Sequence, residues 1–286
     1  MTAGDWLRKV TSIFQQAGIE KAADEAMVLL CHVLKLGKAE IFARPERALT
    51  GSELTMLDEL TARRLRREPS AYIIGHREFY GLDLLVDHRV LIPRPETEVL
   101  VEAAIEFGRS WLARNERTIT IADVGTGSGA IAVALAMHIT SSLIYATDTS
   151  AAALEVAAAN ISKCKLGKRV ITVQADLLQQ INGRVDVIAA NLPYISAQGM
   201  LQLPPEIAGW EPVAALQGGA GGTEVIGRLF QQVPEKISRD GAVLVEIGEG
   251  QEDDIIPIIG RCLPGCPITL IRDLAGINRV IKIEVK

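Results

Sequence analysis

The feature that most constrains this chain is a regular alternation in its second half, where apolar runs of strand length are separated by longer stretches with helical spacing. Ile119 to Val124, Leu143 to Thr147, Val170 to Gln174 and Val185 to Ala190 read as strands, and Ala130 to Met137 and Ala151 to Lys163 read as helices. Strands joined through helices run parallel, and a parallel sheet needs helices on both faces to keep its apolar strands from water. The pattern continues with a helix near Glu224 to Ile237, a strand at Ala242 to Ile247 and a helix from Gln251. Strands at Ile268 to Ile271 and Arg279 to Val285 close it, and the short link around Asp273 to Asn278 permits only a hairpin between them. The expectation is an α/β fold with a mostly parallel sheet.

The amino-terminal part has a different period. Trp6, Leu7, Val10, Phe14 and Ala17 share a helical face between Asp5 and Ala17, and Ala22 to Leu36 repeats the pattern. Thr50 and Glu53 have capping-box spacing ahead of a helix carrying Leu54, Leu57, Leu60 and Leu65. A chain of 286 residues exceeds the usual size of one domain. The expected division is a helical domain over 1–68, a connector over 69–94 and the sheet domain over 95–286. Arg63, Arg64, Arg66 and Arg67 read as a solvated helix end suiting the negative end of the dipole, in preference to a partner-binding patch. In the connector, Phe79 to Leu82, Leu84 to Val86 and Val90 to Ile92 read as short strands, and Pro95 as the first turn of a helix through Phe107.

A net charge of -5 argues against a surface built to neutralise phosphates, so no stable nucleic-acid binding is expected. The first residues lack a basic start followed by an apolar core, and no run approaches the roughly 18 apolar residues of a membrane span. A cytoplasmic monomer without membrane association is expected. Cys31, Cys164, Cys262 and Cys266 are too few and too scattered for a disulfide framework, and no second Cys or His pair lies near Cys262 and Cys266 to complete a tetrahedral zinc site, so they read as reduced thiols and no metal is assigned.

Asp123-Val124-Gly125-Thr126-Gly127-Ser128-Gly129-Ala130 follows one strand and opens a helix, where open parallel sheets bind nucleotides. The turn alone also fits a dinucleotide fingerprint, with Asp148 at the end of the next strand suiting a ribose in either case. Asp123 is a carboxylate suited to an ammonium group, and Asp176 suits an adenine amino group. Asn191-Leu192-Pro193-Tyr194 follows an apolar strand and should project from the carboxyl end of the same sheet. By itself it reads as a turn. Beside the glycine turn it reads as a clamp for an amide nitrogen, whose lone pair is delocalised and which two acceptors must hold towards tetrahedral geometry. Asn191 and the backbone carbonyl after it supply the acceptors, and the ring of Tyr194 is expected to stack on the planar substrate group.

Glu68-Pro69-Ser70-Ala71-Tyr72-Ile73-Ile74-Gly75, Glu78-Phe79-Tyr80-Gly81, the segment Arg89 to Glu98, the glycine turn, the Asn-x-Pro-Tyr clamp and Asp273-Leu274-Ala275-Gly276 occur in one order over nearly the whole chain. In this the chain resembles the release factor N(5)-glutamine methyltransferase family. The resemblance implies a class I, Rossmann-like methyltransferase with a seven-stranded sheet and a helical amino-terminal domain that recognises the protein substrate. It implies transfer of a methyl group from S-adenosyl-L-methionine, leaving S-adenosyl-L-homocysteine, to the glutamine of Gly-Gly-Gln in peptide chain release factors. Cofactor contacts are implied along Gly125, Thr126, Gly127, Ser128 and Gly129, at Asp148, and at Asp176 and Leu177, with Asn191, Leu192, Pro193 and Tyr194 holding the substrate. Leu192 stands where the family commonly has proline, which keeps the carbonyl and loses ring rigidity. Pro93 to Glu98 reads equally as a rigid turn and helix start, while the resemblance sets it beside the active site, where Glu96 or Arg94 would brace the clamp or the glycine turn. The alternatives are an N6-adenine or N4-cytosine nucleic-acid methyltransferase, since the clamp suits exocyclic amines, a cofactor-binding scaffold, and an oxidoreductase, for which no hydride-transfer constellation follows the turn.

Overall fold

The computed structural model describes Met1–Lys286 and falls into two compact units, Met1–His76 with Pro204–Trp210, and Arg77–Leu203 with Glu211–Lys286. No boundary in the sequence marks the short return of 204–210 to the first unit.

The first unit opens with α1 (Ala3–Gln16), α2 (Ala22–Leu34), α3 (Lys38–Ala43), α4 (Gly51–Leu65) and α5 (Ser70–Ile74). Reciprocal capping boxes start α1 at Thr2 and Asp5 and α4 at Thr50 and Glu53, each satisfying two otherwise orphaned backbone donors. Trp6, Phe14, Leu29, Leu30 and Leu57 form the centre of its core. Of the four arginines at the basic end of α4, Arg66 is exposed, as expected of a solvated helix end, while the other three are paired. Arg64 is buried and donates to Glu25 and Glu206, Arg67 donates to Glu206 and the Ala17 and Gly18 carbonyls, and Arg63 pairs with Glu68. Buried guanidinium groups persist only where carboxylates and carbonyls saturate them, so these arginines hold the unit together.

The second unit starts with a hairpin of β1 (His76–Phe79) and β2 (Leu82–Leu85), turned by Tyr80 and Gly81 at φ 51 and 75. Val90, Leu91 and Ile92 form no strand: the Ile92 N–H donates to the Glu211 carboxylate, 3.3 Å away, in place of a ladder partner. A 3-10 turn at Pro95–Thr97 leads into α6 (Glu98–Leu112). The alternation then follows as β3 (Ile119–Val124), α7 (Ala130–His138), β4 (Ser142–Asp148), α8 (Ala151–Lys163), β5 (Val170–Gln174) and β6 (Val185–Ala190). After it come β7 (Ile195–Ser196), α9 (Ala197–Met200), α10 (Pro205–Ala208), which belongs to the first unit, and β8 (Gln217–Gly219). The chain ends with α11 (Glu224–Lys236), β9 (Ile237–Glu246), α12 (Glu252–Cys262), β10 (Ile268–Arg272) and β11 (Asn278–Glu284).

Seven strands form one sheet in the order β10-β11-β9-β6-β3-β4-β5, in which β11 runs antiparallel to both neighbours and the rest are parallel. Both faces are dry. Val187 and Ala189 of β6 belong to one apolar cluster, and Ile188 and Ala190 to the other, as a period of two requires. From β3 the order runs outward in both directions, to β4 and β5 on one side and to β6 on the other. That reversal opens a crevice at the carboxyl ends of β3 and β6, where the glycine turn and the Asn191 turn emerge. No helix is long and apolar enough to cross a membrane.

Candidate active site

The three glycines of the turn after β3 all have positive φ, at 75 for Gly125, 53 for Gly127 and 81 for Gly129, which L residues adopt only at a cost. Their surroundings differ. A Cβ on Gly125 would lie 2.9 Å from Leu192 Cδ2, and one on Gly129 would lie 3.2 Å from Ala157 Cα and Cβ on α8. At Gly127 a Cβ would meet nothing within 4 Å. The turn is tied to β4: Gly125 and Thr126 donate to the Thr147 carbonyl at 2.9 and 2.8 Å, and Gly127 donates to Asp148 Oδ2 at 3.0 Å.

Asp123 does not reach the crevice. It has no exposed surface, its Oδ2 accepts from Thr126 Oγ1 at 2.5 Å and from Ala132 N at 3.0 Å, and Oδ1 has no partner. Burial pushes its carboxyl up to about 7. The direct contact with an ammonium group expected of it is therefore replaced by bracing of the turn from beneath. Thr126 and Ser128 are likewise buried, and with Gly129 they lie outside the cavity wall.

The crevice is a cavity of about 270 Å³. Of the residues nominated from sequence it brings together Gly125, Gly127, Asp148, Asp176, Leu177, Asn191, Leu192 and Pro193. Arg89, Val90 and Leu91 close one side, and Pro212, Ala214, Ala215 and Gln217 another. Asp148 accepts one backbone N–H on each oxygen, from Gly127 and from Ser150 at 2.9 Å, so each retains a lone pair. Asp176 is paired with Arg228, a residue its own sequence context did not single out. Leu177 has φ 58, an uncommon conformation for leucine that holds it at the wall.

Asn191 sits at the mouth of β6 with Nδ2 donating to Thr97 Oγ1 at 2.9 Å, which leaves Oδ1 as its available acceptor. Thr97 thus makes the contact with the clamp expected of Glu96 or Arg94. Arg94 instead pairs with Glu211, a nearly fully buried acid that also accepts from Ile92 N. Tyr194 does not line the cavity. It packs against the apolar cluster on one face of the sheet, its hydroxyl donates to Glu246 Oε1 at 3.4 Å, and its carbonyl accepts from Gln251 Nε2 at 2.8 Å. Its ring therefore supports the turn from behind in place of the expected stacking, and burial pushes its hydroxyl up to about 12. Glu246, at the end of β9, is 1% exposed, and burial pushes it up to about 7. Thr97 had no role in the sequence reading, and Glu246 was missed although a lone acid closing the apolar run Ala242 to Val245 is a signal in itself.

A sheet of this order, with a glycine turn and an Asn-Leu-Pro-Tyr turn on one cavity at its switch point, defines a class I methyltransferase. In agreement, residues 106–218 match the family model for ribosomal protein L11 methyltransferase (PrmA). A ribosomal protein L11 methylase from Lactobacillus delbrueckii subsp. bulgaricus shares the fold at a TM-score of 0.50 and 21% identity, covering 70% of this chain and 84% of that one. Residues 5–75 match the PrmC N-terminal domain. A release factor glutamine methyltransferase of Koribacter versatilis is 40% identical over 258 residues, 90% of this chain and 89% of the relative. One from Rhodopirellula baltica is 34% identical over 285 residues, 97% and 94%. The chain belongs to the release factor glutamine methyltransferase family.

Proposed function

We propose that this protein transfers the methyl group of S-adenosyl-L-methionine to the side-chain amide nitrogen of the glutamine in the Gly-Gly-Gln motif of peptide chain release factors. The observation that carries the reading is Asn191, whose amide NH2 is engaged by Thr97 so that its oxygen is left for an incoming NH2 group beside Gly127. The cavity suits the cofactor. Gly127 leaves room for close approach, Asp148 has lone pairs left for ribose hydroxyls, and Asp176 and Leu177 line the same cavity, which supports the adenine contacts assigned to them. When bound, the cofactor supplies an electrophilic methyl group on a sulfonium centre.

The chain's own part is to bind and orient. Asn191 Oδ1 and the Leu192 carbonyl each accept one hydrogen bond from the substrate NH2, which draws the nitrogen out of conjugation and turns its lone pair towards the donor. No strong base is needed beforehand, because the nitrogen becomes acidic once it carries the methyl group. Leu192 is 3% exposed and packs against Gly125, a contact that limits the loop's motion in place of a proline ring. The helical unit, with its own core and no nucleotide motif, is assigned to recognition of the release factor, and the site of action is the cytoplasm, where translation terminates.

A nucleic-acid amine remains the competing substrate, since the same acceptors suit an exocyclic NH2. Equal amounts of purified release factor and a duplex DNA oligonucleotide, offered together with labelled S-adenosyl-L-methionine, decide between them. Label is expected in the protein alone. Label in the DNA would overturn the assignment.

A further inference from the structure

Two walls of the cofactor cavity are not supplied by the central sheet. One is Arg89, Val90 and Leu91, and the other is Pro212, Ala214, Ala215 and Gln217. Residues 86–94 lie outside any helix or strand, and residues 211–216 hold one 3-10 turn, Val213–Ala215, before β8. A wall of irregular backbone is only as fixed as its ends. The outer ends are held separately. Arg89 donates to both oxygens of Asp87 and, at 2.8 Å, to Glu155 on α8, while Gln217 pairs with Ile195 between β8 and β7.

The inner ends share one group. Glu211 Oε1 accepts from Arg94 Nη2, its Oε2 accepts from Ile92 N at 3.3 Å, and the next residue, Pro212, is already part of the opposite wall. All of these residues lie in the second unit. Glu211 is 5% exposed, so water does not replace either partner if one is lost. We propose that Glu211 and Arg94 are positioning residues that latch the two walls together and so set how tightly S-adenosyl-L-methionine is held. The inference rests on the reading of this cavity as the S-adenosyl-L-methionine site.

Both partners of Glu211 are donors, and only a carboxylate offers an acceptor at each end. Glutamine has the same shape with an acceptor at one end alone, so in Glu211→Gln an NH2 group must face either the Arg94 guanidinium or the Ile92 N–H. One half of the latch opens. A wall held in place beforehand costs nothing further to order when the ligand arrives, whereas a loose wall must be ordered at the expense of affinity. The reacting groups are not touched by this change, so its effect belongs to cofactor binding.

The test is calorimetric titration with S-adenosyl-L-methionine, and release of the labelled compound into an excess of unlabelled, for the full-length protein and for Glu211→Gln, Arg94→Met, Arg94→Lys and the double variant Glu211→Gln with Arg94→Met. Urea unfolding is followed on the same preparations. Glu211→Gln and Arg94→Met should each raise Kd by about tenfold, mainly through faster release, with the number of sites per chain unchanged. Arg94→Lys, which keeps a charged donor, should recover most of the affinity. The double variant should be no worse than the weaker single one, because both changes open the same latch. A merely structural pair would lower the urea midpoint and the number of sites while leaving Kd and release at wild-type values, and that result overturns the latch. Additive losses in the double variant overturn it too. Should Glu211→Gln fail to fold, Arg94→Met and Arg94→Lys, at the more exposed partner, decide alone. A wild-type protein that does not bind S-adenosyl-L-methionine defeats the reading of the cavity, whereas a binding wild type with insensitive variants defeats only the latch.

Discussion

Alanine at Gly127 and alanine at Gly129 should fail in opposite ways, although both glycines belong to one turn and both have positive φ. At 53 and 81 respectively, either substitution carries the left-handed penalty of about 1 to 2 kcal/mol. At Gly129 the new methyl also lies 3.2 Å from Ala157 Cα and Cβ, so α8 must give way, adding about 1 to 3 kcal/mol of overpacking. Gly129→Ala should therefore lose about 2 to 5 kcal/mol of stability. At Gly127 the methyl meets no protein atom within 4 Å and projects at the cavity wall, so the loss of stability stops near the conformational penalty. Its damage falls on the ligand. Displacing a charged ligand from close polar contact costs about 1.5 to 3 kcal/mol, or roughly tenfold to 150-fold in Kd. Urea unfolding and calorimetric titration with S-adenosyl-L-methionine, on the same preparations, separate the two effects. Wild-type affinity in Gly127→Ala, or the same ratio of stability loss to affinity loss in both variants, would refute the assignment of Gly127 to the ligand and Gly129 to packing.

Three further outcomes follow from the same geometry. Asn160 is fully buried and joins the Leu85 N–H, the Leu85 carbonyl and the Ser128 carbonyl at 2.7, 2.9 and 2.8 Å. Asn160→Ala strands three backbone groups and should cost about 3 to 5 kcal/mol in urea unfolding; a loss below about 1 kcal/mol would contradict this. Asp123 and Glu246 are both raised to about 7 by burial, so the stability given by their protonated forms is whole below the ordinary carboxyl range and is lost as pH rises to about 7. Urea midpoints should accordingly fall between pH 5 and 8, and less steeply in Asp123→Asn; a midpoint that rises over that range would show the sign to be wrong. Asn191→Ala should lower single-turnover methylation by about a hundredfold to a thousandfold, as for the loss of one positioned polar contact, with cofactor affinity little changed; an unchanged rate would remove the clamp.

The central strands β3 and β6 were legible almost to the residue because nearly every position on both faces is buried, so each appears as a mainly apolar run between turns. Where that physics fails, so does the reading. Val90 to Ile92 has strand composition but no sheet edge to join, and α3 is too short to show a helical period. The first part of β9, from Ile237, is masked by Ser238, Arg239 and Asp240 on its exposed stretch. The glycine turn and the Asn191 turn were readable because their chemistry depends on residue type at fixed spacing. Which side of the turn each residue faces was not: Asp123 lies beneath it and Tyr194 behind its neighbour, since burial is a property of the assembled layers. Thr97 and Glu246 act only through partners distant in sequence, and Arg64 meets Glu206 at a separation of 142 residues, which no local pattern reports.

The most direct test of the activity is tandem mass spectrometry of release factor after incubation with this protein and S-adenosyl-L-methionine carrying a labelled methyl group, alongside a release factor whose Gly-Gly-Gln glutamine is replaced by glutamate. One labelled methyl group on the side-chain nitrogen of that glutamine, and none in the glutamate form, is the predicted result. A label on any other residue, or one that survives the replacement, would contradict it.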